Sequence, residues 1–339
     1  MSNTAPILRR KCGLNLHSKK QQDMLFCFVL LLPAIIMCVA FIIIPIIDSV
    51  KMSFTQYKLV NLTKNIPGEW NDFKNYTRLW KAGKLQDAIG VTMQFVGWTV
   101  GLTFLMSMAL ALMLNTKVIG SRFLRSIMMI PWVIPTVIAG LLWSWIFANP
   151  YGLLQYLVNL FTGGAVTDFG ILNNKSTALW GVIIAGLWKQ IPLMTLLLLA
   201  GMQNVPDDIM EAAEIDGANY FTRLIHILIP YMKSVIAVTI SMCIIENFKQ
   251  YPLFATLTNG GPAGATTTLA VLSYDEAFVN YNYGSGAAVT TVWLLIMCVV
   301  IFLFNTVFKK ESGSAAGTPT NSRKPGLSAA LRLVAQRKK

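Results

Sequence analysis

Two apolar stretches of the chain carry side chains that could do chemistry. GLWKQIP sets Lys189 and Gln190 inside one, and CIIENFKQYP sets Glu246, Asn247, Lys249 and Gln250 inside the next. On a helix, Cys243, Glu246, Asn247 and Gln250 fall at i, i+3, i+4 and i+7, which is one face. Amides and a carboxylate on one face donate and accept hydrogen bonds, so the chemistry is recognition of a polar solute. A charge at the centre of a bilayer costs roughly 2.5–3.5 kcal/mol on insertion scales, so such residues are read first as functional. The structural alternative is a Lys189–Glu246 bridge, with Lys249 reaching to the outer interface.

Other chemistries lack their residues. The two histidines, His17 and His226, are isolated, and no spacing resembles a metal site. Of the five cysteines, Cys12 is in a polar segment and Cys27, Cys38, Cys243 and Cys298 are in apolar runs, so no disulfide framework is implied. There is no GxxxxGK[ST] phosphate loop, so the chain is not expected to hydrolyse nucleotide or to hold a cofactor.

A second constellation is DDIMEAAEIDGANYFTRLIHILIP, Asp207 to Pro230, with five of the fifteen acids. Pro206 suits a first turn, and Asp207 and Asp208 sit where the helix dipole favours negative charge. Ile209, Ala212, Ala213 and Ile215 follow in a short helix, and Gly217 is placed as its C-terminal cap. Asn219 can cap a second helix carrying Tyr220, Leu224, Ile227 and Leu228, with Pro230 marking the turn beyond it. Two readings are open: an interfacial connector, or a docking surface whose small alanines let another protein approach.

The elements that position these residues are apolar helices. The 339 residues are 55% hydrophobic and 13% charged, against about 25% charged in soluble chains. Repeated runs of about 20 apolar residues predict an all-α polytopic membrane protein. Six spans are expected, at Met24–Ile47, Ile89–Leu114, Phe123–Phe147, Ala178–Met202, Val235–Phe254 and Ala287–Phe308, with kinks at Pro33, Pro131 and Pro135. Cytoplasmic termini put 18 Lys/Arg on that side and 8 outside, although the outer Asp48–Ala88 segment holds seven of those eight. Residues 1–23 form a polar, basic cytoplasmic segment, and the run after them is too long for a signal peptide core, so an uncleaved first span is expected. From Lys309 a small-residue linker, expected to be disordered, leads to GLSAALRLVAQRKK, either a basic amphipathic helix on anionic lipid or a solvated tail.

The acidic stretch resembles the cytoplasmic loop of ABC importer permeases: EAA, a glycine six residues after the glutamate, then I-x-L-P. Here these are Glu211-Ala212-Ala213, Gly217 and Ile227-Leu228-Ile229-Pro230, with Ile229 in place of the usual leucine. The form EAA-x-I-DGA, with Asp216 before the glycine, resembles the carbohydrate branch. FLRSIMMIPWVIPTVIAGLLWSWIF, YGLLQ and LTNGGPAGATTTLAVLSYDEAF resemble further segments of that branch, in order, so the likeness runs from about Met24 to Phe308. The basic tail has no counterpart.

That resemblance implies the fold of a type I ABC importer permease in a bacterial cytoplasmic membrane, with a permease domain at 24–308, a core at about 88–308 and a coupling loop at 206–230. It implies a second permease subunit, two ATP-binding subunits that hold ATP and magnesium, an extracytoplasmic solute-binding protein, a sugar cargo and surrounding lipid; nothing points to nucleic acid. Glu211, Ala212, Ala213, Asp216 and Gly217 would couple to the ATPase. By likeness to the maltose-type F subunit, Gly186, Lys189, Gln190, Leu193, Cys243, Glu246, Asn247 and Gln250 would contact substrate, with Tyr251 or Trp188 available to stack on a sugar ring. Most of these side chains differ from that relative's, so the site carries over and maltose does not. Alternatives are an ABC permease for a polyol or glycerol phosphate, a stand-alone secondary transporter, and a sensor without transport.

Overall fold

The computed structural model describes residues 19–116, 120–166 and 168–315. The basic segment before residue 19 and the tail from 316, GLSAALRLVAQRKK included, lie outside the described residues. Among the described residues four helices are long and apolar enough to cross a membrane, and two bent helix pairs bring the number to as many as six. The first span, α1, covers Asp23–Ser53. It runs on through Pro33, and its irregularity is a π-helical turn at Val39–Ile43 instead. No residue of its apolar window is buried by the rest of the chain.

A small subdomain comes next. Strands β1 (Thr55–Gln56) and β2 (Glu69–Trp70) pair antiparallel, and helix α2 spans Lys74–Lys81. The second span, α3, is Lys84–Asn115. The third is a bent pair, α4 (Ser121–Val133) and α5 (Thr136–Ile146), turning through 91°. This corrects the expectation of a kinked but continuous span. Ile134 and Pro135 are both extended (ψ 130° and 138°), because a residue before proline is driven out of the helical region and Pro135 itself has no N–H to give.

After α6 (Leu153–Thr162) the fourth span, α7, is Ala178–Gln203. A hairpin of α8 (Asp207–Ile215) and α9 (Tyr220–Tyr231) leads into α10 (Lys233–Phe248), which meets α9 at 71°. Here too the sequence expectation is corrected. The bend falls at Met232 and not Pro230, and the span stops at Phe248 because Lys249–Tyr251 interrupt it before Pro252 opens α11 (Pro252–Leu257). Helix α12 is Leu269–Tyr274, and the last span, α13, is Tyr283–Ala315. The expected linker is therefore helical over its first residues, to Ala315.

Three apolar clusters run along α3, and α7 joins two of them. In the middle, Phe95, Val182, Ile183, Phe248, Leu253 and Phe254 pack together, with the Phe95 and Phe254 rings 4.7 Å apart edge to face. At the hairpin end, Ala111, Leu198, Met202, Leu228 and Met232 join α3, α7 and α9. At the opposite, loop end, Leu79, Leu85, Leu269, Leu272 and Val289 tie the subdomain to α3, α12 and α13.

The loop end is also held by charge. Glu276, 3% exposed, accepts from Lys84 Nζ at 2.9 Å and from Arg78 Nη2 at 3.1 Å. Arg78 also donates to Ser285, so α2, α3 and the start of α13 share one carboxylate centre.

The third span's second half packs tightly on α11. A Cβ at Gly140 would stand 2.8 Å from Thr256 Cβ. Gly140→Ala is expected to cost about 1–3 kcal/mol as overpacking, read as a lower melting temperature in detergent, and Gly140→Ala/Thr256→Gly is expected to recover most of it.

Candidate functional site

The polar residues of α7 and α10 meet. Gln190 Nε2 donates to Asn247 Oδ1 at 3.0 Å, and Asn247 Nδ2 donates back to Gln190 Oε1 at 2.8 Å. Asn247 Nδ2 also donates to the Cys243 carbonyl at 2.9 Å, and Cys243 Sγ lies 3.5 Å from Gln190 Oε1. Helical spacing brings this about: Cys243 and Asn247 are one turn apart and face Gln190 across the α7–α10 contact. A buried amide left unpaired would cost about 1–3 kcal/mol, and the reciprocal pair removes that cost.

Lys189 points elsewhere. Its Nζ donates to the carbonyls of Ile134 (2.5 Å) and Trp132 (3.3 Å), both at the break between α4 and α5. The cation thus caps a helix C-terminus, where exposed carbonyls and the dipole favour positive charge. The Lys189–Glu246 bridge is not formed. Glu246 instead lies 3.6 Å from Lys249, one turn along its own helix, and both of these side chains are more than half exposed.

Lys189, Gln190, Leu193, Cys243, Glu246 and Gln250 all line one cavity of about 280 Å³, roofed by Trp132 and Thr136 of the broken span. The other two expected contact residues stand apart from it. Gly186 faces the core, where a Cβ would meet Leu253, Thr99 and Phe95 at 3.8–3.9 Å. Asn247 is 2% exposed and sits behind Gln190, orienting it. The candidate stacking rings are engaged within the chain: Trp188 lies edge to face with Trp143, and Tyr251 lies 4.8 Å from Tyr274. Trp132 and Thr136 escaped the sequence reading because only the break turns them toward α7; the doubled proline of IPWVIP was the signal for that break.

The hairpin is built as its residues dictate. Ala218 N–H donates to the Ala213 carbonyl (2.9 Å) and Gly217 N–H to that of Glu214 (3.0 Å), with Gly217 at φ +80°. This is the double bond pattern of a glycine-terminated helix. Asn219 Oδ1 accepts from Thr222 N–H at 2.8 Å, capping α9. Arg223 then bridges to Glu214 at 2.6 Å, closing the two helices on each other. Glu211, Ala212, Asp216 and Gly217 are exposed, whereas Ala213 is turned inward at 9% exposure and is not part of the outer surface. The projecting apolar group is Ile215, 87% exposed, next to Phe221 at 69%.

A bent, many-helix apolar bundle with a capped acidic hairpin has a counterpart among known sequences. The profile of the family described as binding-protein-dependent transport system inner membrane component matches residues 84–311. The chain belongs to that family. As such a component it is a multi-pass membrane protein. It is 31% identical over 299 residues to the trehalose/maltose transport system permease protein MalF of Thermococcus litoralis, covering 88% of this chain and 99% of that one. Against the trehalose transport system permease protein SugA of Mycobacterium tuberculosis it is 34% identical over 229 residues, 68% of this chain and 70% of the other. A chain of a bacterial alginate ABC transporter, crystallised with an alginate pentasaccharide-bound periplasmic protein, superposes with a TM-score of 0.73 over 88% of this chain and 98% of its own. At 19% identity that likeness establishes a shared fold: the component has the ABC importer permease architecture expected from its motifs.

The hydrogen-bond map makes a distinction that stability can read. A Gln190→Ala/Asn247→Ala cycle is expected to show a coupling of about 1 kcal/mol. A Lys189→Met/Glu246→Gln cycle is expected to be additive within about 0.5 kcal/mol, because those two groups do not meet; a large coupling there would restore the bridge.

Proposed function

We propose that this inner membrane component is the permease subunit of an ATP-driven importer for a carbohydrate, working by alternating access. The observation that carries the reading is the cavity between α7 and α10. It offers Gln190, Glu246 and Gln250 to a ligand, and its charges are already answered by protein groups, Lys189 by carbonyls and Glu246 by Lys249. Such a lining suits neutral, hydroxyl-rich cargo, since amides donate to and accept from hydroxyls and a carboxylate accepts from them. The sugar-transport relatives support the same choice.

In this reading the hairpin of α8 and α9 faces the cytoplasm, as do both termini. Glu211 and Ala212, with the projecting Ile215, enter a cleft on a separate ATPase, one of two that hold ATP and magnesium. A second permease subunit completes the pathway, and an extracytoplasmic binding protein delivers the sugar to the loop end. Nucleotide changes the cleft, so it favours one of two packings of the spans. The hairpin can transmit this because Leu228 and Met232 are embedded with Leu198 and Met202 of α7, the helix that carries Gln190. Close approach helps: a Cβ at Gly201 would come 2.8 Å from Val235 Cγ1, so α7 and α10 move as one unit at that level.

Gly217 tests the coupling cleanly, since nothing lies within 4 Å of its missing Cβ and only its positive φ resists substitution. In proteoliposomes holding the whole transporter, Gly217→Val is expected to preserve assembly. It should lower sugar uptake and binding-protein-stimulated ATPase together, within the roughly 5–150-fold span typical of lost coupling. Gln250→Ala is expected to lower uptake while leaving the nucleotide response of the ATPase intact. Wild-type uptake in both variants would remove the assignment.

A further inference from the structure

A cavity larger than the one between α7 and α10 lies at the loop end. It has a volume of about 880 Å³, within the roughly 300–1,000 Å³ of ligand pockets. Its walls come from four places: the first turns of α3, the start of α7, the loop Asn259–Thr267, and the Asp275–Asn280 turn. We propose that this cavity is a second carbohydrate site, an entry vestibule that holds a sugar before it reaches the cavity beside Gln190. The sugar identity rests on the proposed carbohydrate import; the site itself rests on the groups that line it and on its alignment with the inner cavity.

One aromatic ring and several hydrogen-bonding groups face the space. Trp180 is 41% exposed and lines the cavity, with Trp98 braced against it at 5.4 Å and 49°. An indole face stacks on the apolar C–H face of a pyranose, and the ring's hydroxyls are left to amides and carboxylates. Gln86, Asp87 and Gln94 come from one face of α3, where Gly90 keeps the wall between them bare. Gln86 Oε1 is buried without a hydrogen-bond partner, the kind of unsatisfied acceptor that a ligand hydroxyl relieves. Across the cavity, Asn259 and Asn280 offer further amides. The charges there are mixed, Lys84 and Lys175 against Asp87, Asp275 and Glu276. Burial, then the charge of Glu276, pushes the Asp275 carboxyl above its usual range, with Lys84 opposing. A rim carrying both signs does not single out an ion of one charge.

The loop Asn259–Thr267 is a fixed wall. Thr267 Oγ1 donates to the Gly260 carbonyl at 3.0 Å and Thr266 Oγ1 to that of Gly261 at 2.7 Å. Gly260 has φ +82°, and a Cβ there would come 2.8 Å from Thr267 Oγ1. The two cavities are also in line. Leu179 lines one and Gln190 the other; eleven residues are close to three helical turns, so both open on nearly the same face of α7, about 16 Å apart.

The test uses the whole transporter in lipid nanodiscs and trehalose carrying a diazirine. After irradiation, labelled peptides are located by mass spectrometry, with and without excess unlabelled trehalose. Label that trehalose competes away is expected on the 84–94 and 175–180 segments, and separately on α10. Trp180→Ala, and independently Gln94→Ala, should cut the first at least fivefold and spare the second; Gln190→Ala should do the reverse. Competed label on α10 alone, or outer label indifferent to competitor and to both outer variants, overturns the vestibule and leaves the carbohydrate reading standing. Absence of competed label at both places overturns the two together.

Discussion

A helix broken inside an apolar span leaves carbonyls without helical partners, tolerated only where protein groups or a cavity satisfy them. The carbonyls of Trp132 and Ile134 are at such a break, and the Lys189 ammonium satisfies both. Each feature offsets part of the other's cost, since the cation gains acceptors and the carbonyls gain a donor. Much of the middle of the protein depends on this contact. It fixes α4 and α5 at their bend against α7, sets Trp132 and Thr136 over the cavity, and turns the neighbouring Gln190 toward α10. Neither the prolines nor the lysine could be replaced alone without exposing the other's cost.

Connections hold the bundle at both of its ends. At one end the hairpin is capped by Gly217 and Asn219, closed by Glu214 and Arg223, and embedded through Leu228 and Met232. At the other, Glu276 holds Arg78 and Lys84 together. These are different devices for different solvents. Packing with local caps suits a short surface hairpin, whereas a carboxylate with two half-exposed cations ties together segments too polar to form an apolar core. Between the ends, the α3 face toward α7 is made of small hydroxyl residues, Thr99, Thr103 and Ser107, all fully buried. Small residues let the two helix backbones approach closely.

Much of this was legible in the sequence because it obeys local rules. Apolar runs of spanning length, Asn219 as a cap and Gly217 as a positive-φ stop each depend on a few neighbouring residues. The i, i+3, i+4, i+7 spacing was equally local; of its four residues Cys243 and Asn247 meet Gln190, while Gln250 lies past the end of α10. What escaped depends on contacts between distant segments. Lys189 pairs with carbonyls fifty-five and fifty-seven residues away, and no pattern in GLWKQIP names them. Ala213 is turned inward at 9% exposure, which the alanine pair alone does not reveal. Glu276 read as part of a loop motif, while its two cations lie some two hundred residues earlier. Gly186 was carried over by likeness to a relative, but here its face is filled by Leu253, Thr99 and Phe95.

The amide pair bears on how tightly a cargo could be held. Gln190 and Asn247 satisfy each other without a ligand, so a ligand displaces existing hydrogen bonds instead of filling empty ones. Its net gain per hydrogen bond is then a fraction of the roughly 1 kcal/mol typical of such exchanges. Asn247 is held by the Cys243 carbonyl behind the cavity wall, whereas Gln190 lines the cavity. For a transit site that weakness is useful, because a solute that binds deeply is a solute that is released slowly. Selectivity then comes less from the depth of one site than from the sequence of surfaces the solute must satisfy on its way through.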